Sequence, residues 1–200
     1  MVLYPNKLPE SERVCFGICI SYNYMEKVFI LRWYGPFLFE QLRTWEISQK
    51  NTFNLYLIGG KKKYSKKKIH YYIGKAERYL LSDRLKDKNH HINDFSSINE
   101  IWVGTIINKK ATHKDVLLVE KMLTSYFVAE GELLNVINKK LPEESLYLIN
   151  EWIHYKRNSE CLRLPKISIG NMMPDVIIYK KDNYSDEYKL FVSNKLKITD

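Results

Sequence analysis

The sequence predicts an α/β (α+β) fold: a small, mainly antiparallel three-stranded sheet flanked by helices, with an α/β extension at each terminus. Three observations predict it. Two aromatic and β-branched runs, "FNLYLIGG" and "IHYYIG", flank a polar lysine loop and read as a hairpin with a long connection. A third run, "NEIWVGTII", alternates as a strand does. Behind it, "ATHKDVLLVEKMLTSYFVAEG" carries the apolar period of a long helix. These elements define a compact unit over residues 51–140, with residues 1–50 and 141–200 as the N- and C-terminal extensions.

In chain order, the N-terminal extension contains two strands, Arg13–Ile20 and Glu26–Trp33, and then a turn at Gly35-Pro36. Phe37–Ser48 follows as a short amphipathic helix. Within the central unit the hairpin runs into "ERYLLSDRLKDK", where Leu81, Arg84, Leu85 and Lys88 have helical spacing. Thr112 and Asp115 form a capping-box-like start for the long helix, and Gly131 ends it in the usual C-terminal role. The C-terminal extension opens with "LPEESLYLINEWIHYKR", read as a helix with Pro142 in its first turn. Turn signals at Pro165, Gly170 and Pro174 precede a hairpin of Val176–Lys180 with Tyr188–Ser193. Trp33, Trp45, Trp102 and Trp152 read as core rather than as base-stacking residues.

Two hundred residues, 45% of them hydrophobic and 14% aromatic, supply enough apolar surface for a real core. No apolar run approaches the roughly 20 residues of a membrane span. The opening "MVLYPNKLPESER" has no basic segment ahead of an apolar one, and three cysteines give no disulfide framework. A soluble cytoplasmic protein is expected. The net charge of +9 is concentrated: residues 51–90 hold nine lysines and two arginines against Glu77, Asp83 and Asp87. A basic patch confined to one segment points to a polyanion, nucleic acid first, although a solvated lysine-rich loop has the same composition.

Individual residues suggest chemistry. Glu120 shares a helix face with Val116, Val119, Leu123, Tyr126 and Phe127. A carboxylate in an apolar stripe needs a cation or donors, unless it sits at the stripe's edge and reaches water. Gly74 lets the chain approach a ligand closely, with Lys75 and Arg84 beside it, and an arginine fork suits phosphate. Singly, these are also a turn glycine, a surface lysine and a helix-face arginine. Cys15 and Cys19, with scattered His90, His91, His113 and Cys161, make a weaker zinc candidate, because zinc usually takes two paired-ligand clusters.

The order "NLYLIGG", "YYIGKA", Arg84, Glu120, "LLNVIN" resembles the GIY-YIG nuclease superfamily, and its restriction-endonuclease and excision-repair branches in particular. The resemblance spans roughly Phe53 to Asn138, under half of the chain. It implies that Tyr56 and Tyr72 are the paired motif tyrosines, with Gly74 as the motif glycine. It further implies Arg84 as the helix arginine, Glu120 as the metal-binding acid and Asn135 as the following asparagine. The first motif reads Asn54-Leu55-Tyr56, so its glycine is missing. The histidine that several members carry four residues past the arginine is replaced by Lys88, with His90 and His91 just beyond.

The expected activity is divalent-metal-dependent hydrolysis of phosphodiester bonds in DNA. Glu120 would hold magnesium or manganese and Arg84 would clamp phosphate. Tyr56, with a pKa lowered by Lys75, or Lys75 itself, would serve as the base. Lys61, Lys62, Lys63, Lys66, Lys67, Lys68 and Lys88 are the candidate DNA contacts. Double-stranded DNA is the expected partner, and a homodimer is one route to cutting both strands. Two alternatives stay open: a catalytically lapsed nucleic-acid-binding module of the same fold, and a protein-interaction domain using the lysine loop.

Overall fold

Between Lys27 and Phe37 every second residue is buried from Phe29 onward, and this period of two makes the segment a strand, β1. Seven further strands follow: β2 (Phe53–Lys62), β3 (His70–Glu77), β4 (Phe95–Ile106), β5 (Leu146–Lys156), β6 (Ser159–Leu162), β7 (Val176–Lys181) and β8 (Tyr188–Ser193). Three helices accompany them, α1 (Phe39–Ser48), α2 (Leu81–Arg84) and α3 (His113–Ala129), with a 3₁₀ turn at His91–Asp94. The computed structural model describes residues 27–49, 53–67, 69–77, 80–87, 91–129, 141, 144–156, 159–162, 173–185 and 187–193. The expected strand Arg13–Ile20, the terminating Gly131, Asn135, Lys68, Lys88, His90 and the Cys15/Cys19 pair lie outside them.

The eight strands form one sheet in the order β3-β2-β4-β1-β5-β7-β8, with β6 branching onto β5. All its pairings are antiparallel except β1 with β5. The sheet curls into a half-barrel. This corrects the expectation of a small three-stranded sheet flanked by helices. β3, β2 and β4 do pair as expected, with β2 in the middle, but they are one limb of a larger mixed sheet.

Two elements account for the difference. β1 pairs along both edges, with β4 and β5, so the strand assigned to the N-terminal extension lies at the centre of the sheet. The segment Leu146–Lys156, read as a helix, is β5. Leu146, Leu148, Asn150 and Trp152 are buried alternately, a period of two that matches β1 on one side and β7 on the other.

Each face of the sheet carries its own core. On one face, Phe29, Leu31, Trp33, Leu55, Leu57, Tyr71, Ile73 and Trp102 meet the apolar side of α3 and residues from β5 and β7. Trp33 stacks on Trp152 at 5.6 Å, and Trp102 meets Trp152 edge-on at 4.9 Å. On the other face, Tyr56, Ile58, Ala76, Ile101 and Val103 pack with Leu42 of α1, Leu81 of α2, nearby Leu85, and Ile92 of the 3₁₀ turn. Three of the four tryptophans are fully buried, and Trp45 packs half-buried against Tyr34 and Phe37. No described helix is long and apolar enough to cross a membrane.

The start of α3 is fixed as its sequence suggests. Thr112 Oγ1 accepts from the Asp115 N–H at 3.3 Å, and Asp115 Oδ2 accepts from the Thr112 N–H at 3.0 Å. Lys109 Nζ donates to Asp115 Oδ1 at 2.7 Å. Burial alone would raise the Asp115 pKa, but the hydrogen bonds from Lys109 and Thr112 and the lysine charge outweigh it and hold the carboxyl below its ordinary value. A depressed folded pKa stabilises the fold above the ordinary carboxylate range near about 4, and that stability is lost as pH falls through the folded value. Asp115→Ala should therefore cost about 1 kcal/mol at neutral pH in denaturant unfolding. Its unfolding midpoint should also fall less steeply than the parent's between about pH 5 and pH 2. Parallel acid limbs would show that this cap does not contribute.

Candidate active site

β2 and β3 place the two motif tyrosines on one face. Tyr56 lies opposite Gly74 in the antiparallel register, and Tyr72 lies opposite Ile58. The rings of Tyr56 and Tyr72 are 5.9 Å apart and tilted by 34°. The Tyr56 ring crosses directly over Gly74. A β-carbon at position 74 would stand 2.3 Å from Tyr56 Oη and 2.4 Å from its Cζ. Glycine is required here by close approach, since no side chain fits beneath the phenol.

Tyr56 is buried, and its hydroxyl shares a hydrogen bond with that of Tyr72. Burial is the main cause that pushes the Tyr56 pKa above the ordinary tyrosine value; the neighbouring Tyr72 and Glu120 push the same way, and Arg84 opposes them. The Tyr72 pKa is also raised, chiefly by burial and further by Glu120 and Asp94, while the Tyr56 hydrogen bond and Arg84 lower it. Both phenols therefore feel both the Glu120 carboxylate and the Arg84 guanidinium. Tyr56, Tyr72 and Gly74 are brought together on one face; Arg84 ends α2 on that face, and Glu120 stands on α3, which packs against the opposite face, so that both act on the phenols as neighbouring charges.

Each of the two charged groups has a distinct support. Glu120 is buried on α3, which packs against β3 and β2. Arg84 is the last residue of α2, a helix of four residues that is too short to be stable alone. Its first turn has no side-chain cap of its own. Instead, the buried Glu46 of α1 accepts the N–H of Leu81 at 2.6 Å and that of Ser82 at 2.8 Å. α1 thereby sets the position of α2, and α2 that of Arg84, whose side chain is exposed.

Lys75 is placed elsewhere. Successive strand residues face opposite ways, so Lys75 projects with Tyr71 and Ile73 from the face opposite Tyr56 and Tyr72. There it pairs with Glu77 at 3.2 Å, and the second oxygen of Glu77 meets His113 Nδ1 at 2.7 Å. Lys61, Lys62, Lys63, Lys66 and Lys67 gather at the β2–β3 tip, all exposed except the half-buried Lys62. Asn135, Lys68 and Lys88 fall outside the described residues.

Two groups not assigned from the sequence also border the site. The His91 ring lies 5.7 Å from that of Tyr72, and His91 Nδ1 is 3.3 Å from Asp94 Oδ2. The available signal was the pair His90-His91, just past the position where the resemblance expects a histidine. Glu46 gave no signal, because its role arises from contact across 35 residues of chain. Among the described residues, no three of His, Cys, Asp and Glu gather into a group that could hold a metal. Compared with known proteins, the chain matches no family model, no curated protein and no solved structure.

Two outcomes follow from this packing. Gly74→Ala should cost about 1–3 kcal/mol in denaturant unfolding, because the buried Tyr56 ring has nowhere to move; an unchanged midpoint would refute the close approach. The raised phenol pKa values stabilise the fold below about pH 10, and that contribution is lost as pH rises through the folded values. Phenolate absorbance measured at about pH 10 should accordingly be the same in native Tyr56→Phe as in the parent. A loss of about half a phenolate would mean that Tyr56 ionises normally.

Proposed function

We propose that this chain is a divalent-metal-dependent endonuclease that hydrolyses phosphodiester bonds in DNA. The observation that carries the reading is the electrostatic meeting of four groups. Two hydrogen-bonded phenols, of which Tyr56 lies over Gly74, both sense one carboxylate, Glu120, and one guanidinium, Arg84. The phenols stand on β2 and on β3, and β3 is an edge strand of the sheet. An anion clamp, an acid able to hold a cation and positioned hydroxyls are what phosphodiester hydrolysis requires.

The donor set suits one hard divalent ion. Magnesium and manganese often take one or two carboxylates and fill the remaining positions with water and substrate phosphate, so Glu120 alone can anchor such an ion. When bound, the metal would neutralise phosphate charge and acidify a bound water. Arg84 is exposed and suited to a non-bridging phosphate oxygen. Tyr56 has a raised pKa and serves as a hydrogen-bond partner that orients Tyr72, rather than as a base. We assign the base to His91, whose ring lies 5.7 Å from that of Tyr72 and carries a nitrogen able to accept a proton. One such site cuts a single strand, so a duplex is severed by a pair of copies or by two successive nicks.

The buried, weakly acidic Tyr56 and the missing first-motif glycine favour a second reading, a nucleic-acid-binding module of the same fold that no longer cuts. Supercoiled plasmid incubated with magnesium or manganese separates the two. The parent should nick it. Glu120→Gln and Arg84→Ala should each lower the rate by about 10²–10³-fold, and His91→Ala by about 10²–10⁴-fold, without loss of plasmid binding. If every protein binds and none cuts with either metal, the module reading replaces the enzyme.

A further inference from the structure

The β2–β3 tip carries an unexpected residue. Tyr64 has φ of 60°, in the left-handed region, and is fully exposed. Turns that need positive φ are normally filled by Gly, Asn or Asp, and a bulky aromatic there is strained. The ring recovers nothing from burial. Six lysines surround it in sequence, Lys61 to Lys63 and Lys66 to Lys68, and no acidic residue occurs between Asn51 and Ala76.

The turn is braced rather than loosely solvated. The Ser65 N–H donates to the Lys62 carbonyl at 3.3 Å, and Ser65 Oγ meets His70 Nε2 at 2.6 Å. The Lys63 N–H donates to the Asp94 carbonyl at 2.9 Å, and Ser96 Oγ donates to the Lys61 carbonyl at 3.1 Å. Asp94 closes the same 3₁₀ turn whose His91 lies against Tyr72. The tip is thus held in register with the candidate active site.

We propose that Tyr64 is a base-stacking residue: the lysines grip the phosphates of one strand while the phenol stacks on an unpaired base. This rests on the nucleic-acid reading above and names its substrate class, a nucleic acid with a single-stranded segment beside the cut. An exposed aromatic among cations is how single strands are held without regard to sequence. Ile58, the partner of Tyr72, lies four residues before the end of β2 at Lys62, about 13 Å along the strand, and Tyr64 sits in the turn just beyond. That strand distance corresponds to about four stacked nucleotides.

The test is binding in the absence of divalent metal, measured by fluorescence anisotropy. The probes are a single-stranded oligonucleotide, the matching duplex, and that duplex with a gap. Tyr64→Ala and Tyr64→Gly should weaken single-strand and gapped binding by about 5- to 100-fold and leave duplex binding unchanged. The slope of log affinity against log salt should also stay unchanged, whereas each of Lys63→Ala and Lys66→Ala should reduce it by about 0.7 on the single strand. Tyr64→Trp should retain binding. Tyr64→Gly should keep or raise the melting temperature even as binding falls, which a merely structural turn residue would not do. If Tyr64→Ala binds every probe as well as the parent, the stacking role is overturned while the nuclease reading stands on its plasmid assay. A parent that binds no probe at any salt overturns both and leaves the lysine tip to an acidic protein.

Discussion

Trp33 stands where three strands meet. It belongs to β1, stacks on Trp152 of β5, and covers Gly104 of β4, where a β-carbon would lie 3.0 Å from its ring. Its Nε1 donates to Asn150 Oδ1 at 3.0 Å, which satisfies an indole N–H that burial would otherwise leave unpaired. Asn150 passes the connection on: its Nδ2 donates to the Pro174 carbonyl and its N–H to the Asp175 carbonyl, both at 2.8 Å, just ahead of β7. One indole thereby joins the β3-β2-β4 limb to the β5-β7-β8 limb. A buried hydrogen bond of this kind adds modestly when made, but leaves a costly orphan when either partner is removed.

The candidate site depends on this frame indirectly. β4 is held by β1 on one edge and presents β2 on the other, so the tyrosine-bearing strands hang from a fixed support. The local chemistry then relies on contrasts between neighbours in sequence. Tyr72 and Lys75 are three residues apart on β3 and face opposite sides of the sheet. The cation that comes near the phenols is Arg84, placed by a helix capped by a carboxylate from another helix. Burial and Glu120 keep both phenols protonated, which makes them donors and positioning groups.

Much of this was legible where the signal is local. The hairpin of β2 and β3, the alternation in β4, the Thr112/Asp115 start of α3 and the β7–β8 hairpin are all written in short stretches of sequence. The chain order of Tyr56, Tyr72, Gly74, Arg84 and Glu120 was legible for the same reason. β5 was not, because Pro142 and two glutamates imitate a helical first turn, and the strand exists through pairing with β1 and β7. The central position of β1 and the role of Glu46 were hidden likewise, since both are decided by distant partners. The separation of Lys75 from the tyrosines could have been read from the strand period alone.

The parallel pairing of β1 with β5 also dictates when the protein can be finished during synthesis. Trp33 and the Asn150 that accepts its hydrogen bond are 117 positions apart. Until the ribosome has released β5, β1 has one bare edge and an uncovered indole, however well its other side has met β4. Loop closure over such a distance is slow, and an open apolar edge invites pairing with another nascent chain. The lysine-rich segment emerges within that interval, and its like charges would keep crowded nascent chains apart while the sheet waits for its last limb.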